Sequence, residues 1–402
     1  MDPVPAPSTL DTPLSVPFRH RVLFTRDSLA PANPALATLL CEPPALDAAG
    51  AAGAAGTNAA SAPRRLVAFI DAGLAAAHPG FEERLRAYLA AHAHAGAPEP
   101  ALIERVPGGE ACKRDHALVD RVVAAVDAHR IDRQSVVLAA GGGAVLDAVG
   151  FAAAIAHRGV RLVRLPSTTL SQDDAGMAVK NGINLGRKKN FIGAFAVPHG
   201  VLCDTELLRT LPDWSWCGGF SEAVKIALLR DPALFAQIER DAAAIRARDM
   251  AAAVPVVMRS AQLHYRHIVL GGDPFETRSA RPLDYGHWLA HRLEGLTDGE
   301  LPHGQAVAIG VAVDTLYAAC AGMLAQADAQ RVLALLRALG LPTTHALLAD
   351  PQPLLAGLEE FREHLGGRLT VTLLRGIGDP VDAHALDAAT LREAFALTSR
   401  PS

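Results

Sequence analysis

The first two hundred residues alternate short apolar runs with segments of helical period, and that alternation leaves few architectures open. The runs "RVLFT" (21–25), "LVAFIDAG" (66–73), "ALIERV" (101–106), "SVVLAAGGG" (135–143) and "VRLVRLPST" (160–168) read as buried strands. Between them, "FEERLRAYLAAHAHA" and "DHALVDRVVAAVDAHR" read as helices. Such an order argues for a mostly parallel sheet of Rossmann-like type. From about Asp204 long helical stretches take over, among them "WCGGFSEAVKIALLRDPALFAQIERDAAAIRAR", "PVVMRSAQLHYRHIVL", "DYGHWLAHRLEGL" and "GQAVAIGVAVDTLYAACAGMLA". Only "RLTVTLLRGIG" (368–378) interrupts them, as a strand or hairpin arm. The expected fold class is therefore α/β plus α, with a Rossmann-like domain over 1–204, a helical domain over 205–402 and the site in the cleft between them. The Ala- and Gly-rich stretch over 42–64 is expected to be a flexible insertion.

Composition narrows the function classes. The chain has 402 residues, half of them apolar, so two ordinary domains can each bury a core. A formal net charge of -4 argues against nucleic acid or an anionic membrane as partner. No apolar run reaches the roughly 18 residues that would span a bilayer. The Pro-rich start lacks the pattern of a secretory signal, and five scattered cysteines without a C-x-x-C pair suit free thiols. A cytoplasmic setting is expected.

Two sets of residues carry candidate chemistry. In "VVLAAGGGAVLDAVG" three glycines lie between a strand and a helix, where Gly142 and Gly143 would let a pyrophosphate approach the helix N-terminus. The pattern is not G-x-G-x-x-G, and a tight strand-to-helix turn accounts for it equally well. Asp147 in the first helical turn and Asp71 at a strand end fit ribose or dipole roles, or simple caps. In the second half His287 and His291 stand four apart on one helical face, and His303 opens the next helix. From spacing alone His287 and His291 make the obvious chelate, against the alternative of two half-buried histidines. Glu222 is a carboxylate in an apolar helix with Lys225 one turn on, so it needs either a cation or that lysine beside it. The stretch "LPSTTLSQDDAGMAVKNGINLGRKKNFIGAF" (165–195) reads as a long functional loop. Its Asp173, Asp174, Lys180, Arg187, Lys188, Lys189 and Asn190 suit a phosphorylated small substrate, or a solvated charge run.

These segments, in this order, resemble 3-dehydroquinate synthase and the wider sugar-phosphate cyclases. The likeness is carried by "GGGAVLDAVGFAAAIAHRGVRLVRLPSTTLSQDDAGMAVKNGIN", "KKNFIGAF", "TLPDWSWCGGFSEAVK", "GHWLAHRLE" and "LPHGQAVAIG". It runs from roughly Pro107 to Gly310, with a weaker tail to about Gly378. The resemblance implies a metal, zinc or else cobalt, on Glu222, His287 and His303, and makes His291 a phosphate-side catalytic histidine. It implies catalytic roles for Asp174, Lys180, Lys225, Asn190 and Arg158. For NAD+ it implies Asp71, Glu110, Lys113, Gly142, Gly143, Asp147, Ser167, Thr168 and Lys189. The implied reaction is oxidation of a ring hydroxyl, phosphate elimination, reduction by the same NADH and an intramolecular aldol closure, in a carbon–oxygen lyase that forms a homodimer.

The chain departs from dehydroquinate synthase where that enzyme reads its substrate carboxylate. Ala280 stands where an arginine is usual, with Arg278 and Arg281 nearby as substitutes; Arg266 stands for a lysine, Asp284 for an asparagine, and Glu363 and His364 where a late lysine is expected. The expected substrate is a ketose phosphate such as a sedoheptulose 7-phosphate-like sugar, or else the dehydroquinate precursor. The alternative is a metal-dependent NAD alcohol or polyol dehydrogenase with net redox turnover.

Overall fold

In the computed structural model, residues 10–14, 16–42, 64–186, 188–276, 283–364 and 367–399 are described. The apolar runs form one six-stranded sheet: β1 (Val22–Thr25), β2 (Arg65–Asp71), β3 (Glu99–Val106), β4 (Val136–Gly141), β5 (Arg161–Pro166) and β8 (Gly200–Asp204), in the order β1-β8-β5-β4-β2-β3. Every pairing is parallel. Alternate residues of one strand supply two cores, as a period of two requires. Val67, Phe69, Val137 and Ala139 pack with the helices Ala117–Ala128 and Gly143–Ile155. Leu66, Ala68, Ile70, Val136, Leu138 and Ala140 pack with Ala35–Cys41 and Phe81–Ala91 on the other face. Both faces are covered, which is why these strands are apolar at nearly every position.

Strand β2 lies between β3 and β4, so the chain leaves β2 in one direction and β4 in the other. That reversal opens a crevice at the carboxyl ends of β2 and β4, the place where open α/β sheets take ligands. Asp71 ends β2 and Gly141 ends β4.

The polar stretch 165–195 is not the long loop that its composition suggests. It holds a short helix (Thr169–Asp173) and an antiparallel hairpin of β6 (Lys180–Leu185) and β7 (Lys188–Phe195). Gly182 and Gly193 face each other there, and much of β7 is exposed, so the apolar alternation that marks a strand is missing. Arg187 lies outside the described residues, as do residues 43–63 of the expected insertion.

The second half is helical apart from the hairpin of β9 (Val371–Gly376) and β10 (Asp379–Ala383). Two of its helices are buried along almost their whole length, Asp213–Arg230 and His303–Cys320. They cross at glycines: a Cβ on Gly304 would stand 2.2 Å from the Gly218 carbonyl oxygen. A second close approach sets the helix His287–Leu296, because a Cβ on Gly310 would lie 2.0 Å from the Gly286 oxygen. These contacts bring the starts of the two histidine helices onto the middle of the Glu222 helix. No helix of the described residues is long and apolar enough to cross a membrane.

Candidate active site

Glu222 is fully buried in an apolar helix, and what faces it explains how a charge survives there. Lys225, one turn on and 3 % exposed, forms an ion pair with Oε2. His287 Nε2 stands 3.5 Å and His303 Nε2 3.6 Å from Oε1. Neither Glu222 oxygen has an aligned hydrogen bond, the Lys225 contact being one of charge and not of hydrogen-bond geometry. Burial would raise the Glu222 carboxyl, but Lys225 and the two imidazoles hold it well below the usual range. Burial and Lys225 together push His287 well down. For His303, burial is outweighed by Glu294 and Glu222, which raise it to about 10. The field at His303 thus calls for positive charge, whether a proton or a cation.

The far nitrogens of both rings are engaged. His303 Nδ1 is 3.1 Å from Glu294 Oε2, and His287 Nδ1 is 3.2 Å from the Tyr285 carbonyl oxygen. With Nδ1–H donating outward, each ring turns its Nε2 lone pair toward Glu222, the arrangement of metal-binding histidines. Ligand atoms of Glu222, His287 and His303 all lie within 4.8 Å of one another. The structure therefore groups His287 with Glu222 and His303, not with His291 as spacing alone suggests. The exposed His291 stands beside the group, its ring centroid 5.5 Å from that of His287 and 6.1 Å from that of His303.

On the other side of Glu222 lies His264, a residue the sequence reading did not single out. It is 1 % exposed, with Nε2 3.4 Å from Asp174 Oδ1 and 4.0 Å from Glu222 Oε2. Its Nδ1 is 3.0 Å from the Ser260 carbonyl one turn back. Arg266, the expected basic substrate contact, is exposed. Two residues along a helix turn the side chain by about 200°, so only one of the pair can face the cleft. Lys180 is exposed and paired with Glu276. Asp284 is half-buried and Glu363 exposed, while Arg278, Ala280, Arg281 and the His364 side chain lie outside the described residues. Asp173 and Asp174, adjacent in sequence, divide: Asp173 is fully buried with both oxygens unpartnered, and burial raises its carboxyl well above the usual range.

The crevice between β2 and β4 holds most of the residues expected at a dinucleotide. Asp71 caps a short helix through Gly73 N at 2.7 Å. Gly108 and Gly141 crowd it, since Cβ atoms there would come within 2.3 and 2.9 Å of its side chain. Gly142 is the extended N-cap of the helix Gly143–Ile155, and no side chain caps that helix start. Ser167 N bonds the Gly141 carbonyl, and Thr168 caps its own short helix. Asp147 is more than a dipole partner: the buried Lys113 lies 2.7 Å from it and also bonds Asn190 Oδ1. Burial would lower the Lys113 ammonium, but Asp147 and Glu110 raise it. Asn190 takes a left-handed φ of 51° and bonds Asn184 Oδ1 through its N–H. Lys189 Nζ is 2.8 Å from Glu110 and 3.4 Å from Glu294, so it spans the two sets of residues.

Arg158 is the exception. It precedes β5, on the far side of the helix Gly143–Ile155 from Gly142, and so lies at the amino edge of the sheet. Asp71, Gly141 and Ser167 lie at the opposite, carboxyl edge. The exposed Arg158 side chain does not join the site within this chain.

With this geometry in view, the comparisons with known proteins are consistent. The model of the 3-dehydroquinate synthase N-terminal domain matches residues 103–217, and that of its C-terminal domain residues 219–360. The 3-dehydroquinate synthase of Paracoccus denitrificans is 36% identical over 345 residues, covering 84% of this chain and 90% of the relative. That of Caulobacter vibrioides is 36% identical over 341 residues, 82% and 88% of the two chains. Among solved structures, 2-epi-5-epi-valiolone synthase from Streptomyces hygroscopicus, with NAD+ and Zn2+ bound, superposes with a TM-score of 0.83 at 30% identity, over 97% of this chain and 99% of that one. A 2-deoxy-scyllo-inosose synthase complexed with carbaglucose-6-phosphate, NAD+ and Co2+ shares the fold, at a TM-score of 0.72 and 21% identity over 93% and 95% of the chains. Two adjoining domain matches and relatives of more than one-third identity over most of the length show that this chain belongs to the 3-dehydroquinate synthase family.

Proposed function

We propose that the chain is an NAD- and metal-dependent sugar-phosphate cyclase, a carbon–oxygen lyase that eliminates phosphate without net redox. The observation that carries the reading is the buried Glu222, its oxygens unbonded, facing two imidazoles whose other nitrogens are tied back. One carboxylate and two imidazoles suit zinc or cobalt, and three protein donors leave room for a substrate oxygen. Glu222, His287 and His303 would hold the ion, and Asp71, Gly142, Gly143, Thr168, Glu110 and Lys113 would line the dinucleotide. When bound, the ion polarises a hydroxyl oxygen and the nicotinamide takes up and returns one hydride.

The remaining roles fall to the chain's own side chains. Lys225 and Asp174 flank the Glu222 face and would orient substrate hydroxyls there. His264 Nε2, buried and unbonded, is placed to hold or pass a proton at that wall. His291, Lys180 and Asn190 would meet the phosphate from the open side. We assign the chain to a cytoplasmic homodimer, in which Arg158 would serve a site only in another copy.

For the substrate we favour a ketose phosphate without a carboxylate, sedoheptulose 7-phosphate-like. In support, the helix that should present a basic residue to the cleft presents His264 instead, and Arg266 points away. The relation to a valiolone synthase at 30% identity agrees with this. The test is phosphate release by the zinc- and NAD-loaded protein with sedoheptulose 7-phosphate and the dehydroquinate precursor in parallel. Release from the ketose phosphate with unchanged NADH absorbance is expected. Stoichiometric NADH formation would instead favour an alcohol or polyol dehydrogenase, whose fold the chain also shares.

A further inference from the structure

Glu294 lies seven residues after His287 on the same helix and therefore on nearly the same face. It is 3 % exposed, yet it is not left alone. Oε2 accepts from His303 Nδ1 at 3.1 Å, and Oε1 stands 3.4 Å from Lys189 Nζ. Lys189 in turn lies 2.8 Å from Glu110 Oε2, which also takes a bond from Asn184 Nδ2 at 3.2 Å. Polar contacts therefore run without a break from Glu110 through Lys189, Glu294 and His303 to Glu222. The first two residues belong to the sheet half and the last three to the helical half. Glu110 and Lys189 stand at the dinucleotide side, and His303 at the metal side.

We propose that Glu294 is a positioning residue that couples the two sites, so that NAD+ in the crevice tightens metal binding at Glu222, His287 and His303. The inference rests on the reading of those two sites given above. Its physical basis is a buried carboxylate divided between the Lys189 ammonium and the His303 Nδ1–H. While Lys189 is shared by Glu110 and Glu294, part of the Glu294 charge is spent on the ammonium. A dinucleotide hydroxyl or phosphate oxygen that engages Lys189 draws it off and leaves the carboxylate to His303. A fuller hydrogen bond at Nδ1 fixes the ring and makes Nε2 a better donor to a metal. Coupling of this kind is reciprocal: the metal tightens NAD+ by the same factor.

The experiment is an equilibrium zinc titration against a chromophoric chelator, with and without saturating NAD+, on the full chain and on Glu294→Gln, Lys189→Met and Glu222→Ala. For the unaltered protein, NAD+ is expected to raise zinc affinity about tenfold, inside the usual range for coupled sites. Glu294→Gln keeps shape and burial but loses the charge; zinc affinity is expected to fall by roughly 10- to 100-fold and to become indifferent to NAD+. Lys189→Met is expected to bind zinc as tightly without NAD+ as the unaltered protein does with it. The visible spectrum of the Co2+ form reports the ligand geometry directly and is expected to shift in Glu294→Gln. Near-ultraviolet circular dichroism separates this from misfolding, and Glu294→Asp, which keeps the charge, is expected to restore part of the coupling. Zinc affinity that ignores NAD+ in the unaltered protein, or a Glu294→Gln variant with full NAD+ dependence, overturns the proposal. If Glu222→Ala holds zinc as well as the unaltered protein, the metal-site reading itself fails, and the two failures are thereby told apart.

Discussion

Replacing Lys225 by methionine isolates the charge balance at Glu222. The two side chains are 3 % and 0 % exposed, and Lys225 is the only lysine or arginine paired with that carboxylate among the described residues. Methionine keeps the apolar stem and its packing. What is lost is the partner of a buried charge, and breaking such a pair costs about 3–5 kcal/mol. In the metal-free protein we expect a loss of that size in urea unfolding, followed by the fluorescence of the buried Trp216 and Trp288. With Lys225 gone, taking up a proton is the escape open to Glu222, so the loss should shrink as pH falls and grow as pH rises. A carboxyl whose folded pKa is raised contributes stability at low pH and loses it as pH rises. Zinc supplies the missing charge, so the gain in stability on adding zinc should be larger in the variant than in the unaltered protein. Adding Glu222→Gln to Lys225→Met should recover most of the loss. Two losses that simply add in the double variant would refute the reasoning, because additivity means the pair is not coupled.

Other outcomes follow from single contacts. Lys180→Ala should lose turnover yet bind NAD+ unchanged by fluorescence titration, since the Lys180 ammonium is exposed on the hairpin and pairs with Glu276. His199 is pushed down to about 4 by burial and by Arg21 and Arg161, so the folded protein holds it neutral where the unfolded chain protonates it. Stability should fall by about 2 kcal/mol as pH drops from 6.5 to 4, after discounting for its partial exposure, and His199→Gln should flatten that slope in thermal unfolding. Asp314 accepts from Gly286 N at 2.8 Å and Trp288 Nε1 at 2.9 Å, just before and after His287. Asp314→Ala leaves two buried donors unpaired and should cost about 2–4 kcal/mol in urea unfolding, with weaker zinc binding in the chelator titration.

What the sequence made legible depended on whether the signal was local. Strands β2, β4 and β5 are covered on both faces, so nearly every residue in them is apolar and the runs stand out. The hairpin β6–β7 is half exposed and glycine-paired, and its polar residues read as a loop. Glu222 was legible as an anomaly, a carboxylate in an apolar helix beside a lysine, because burying it alone is costly. His264 and Glu294 were not. Each sits on an ordinary amphipathic helix, and its chemistry comes from what lies across the gap: Asp174 for one, Lys189 and His303 for the other. Helical phase decides between His264 and Arg266, and spacing to a distant partner carries no phase.

Arg158 shows the opposite failure, since strand polarity alone could have placed it. In a parallel sheet every strand runs the same way, so residues just before a strand gather at one edge and residues just after it at the other. Asp71 ends its strand, Gly142 and Ser167 follow theirs, and all three meet at the carboxyl edge. Arg158 precedes β5 by three residues and so falls at the amino edge, with a helix of 13 residues between it and Gly142. At 1.5 Å per residue that helix alone is about 20 Å long, beyond the reach of any arginine side chain. Proximity within a motif is proximity along the chain, and an α/β fold places neighbours in the motif at opposite ends of the sheet whenever a strand or a helix lies between them.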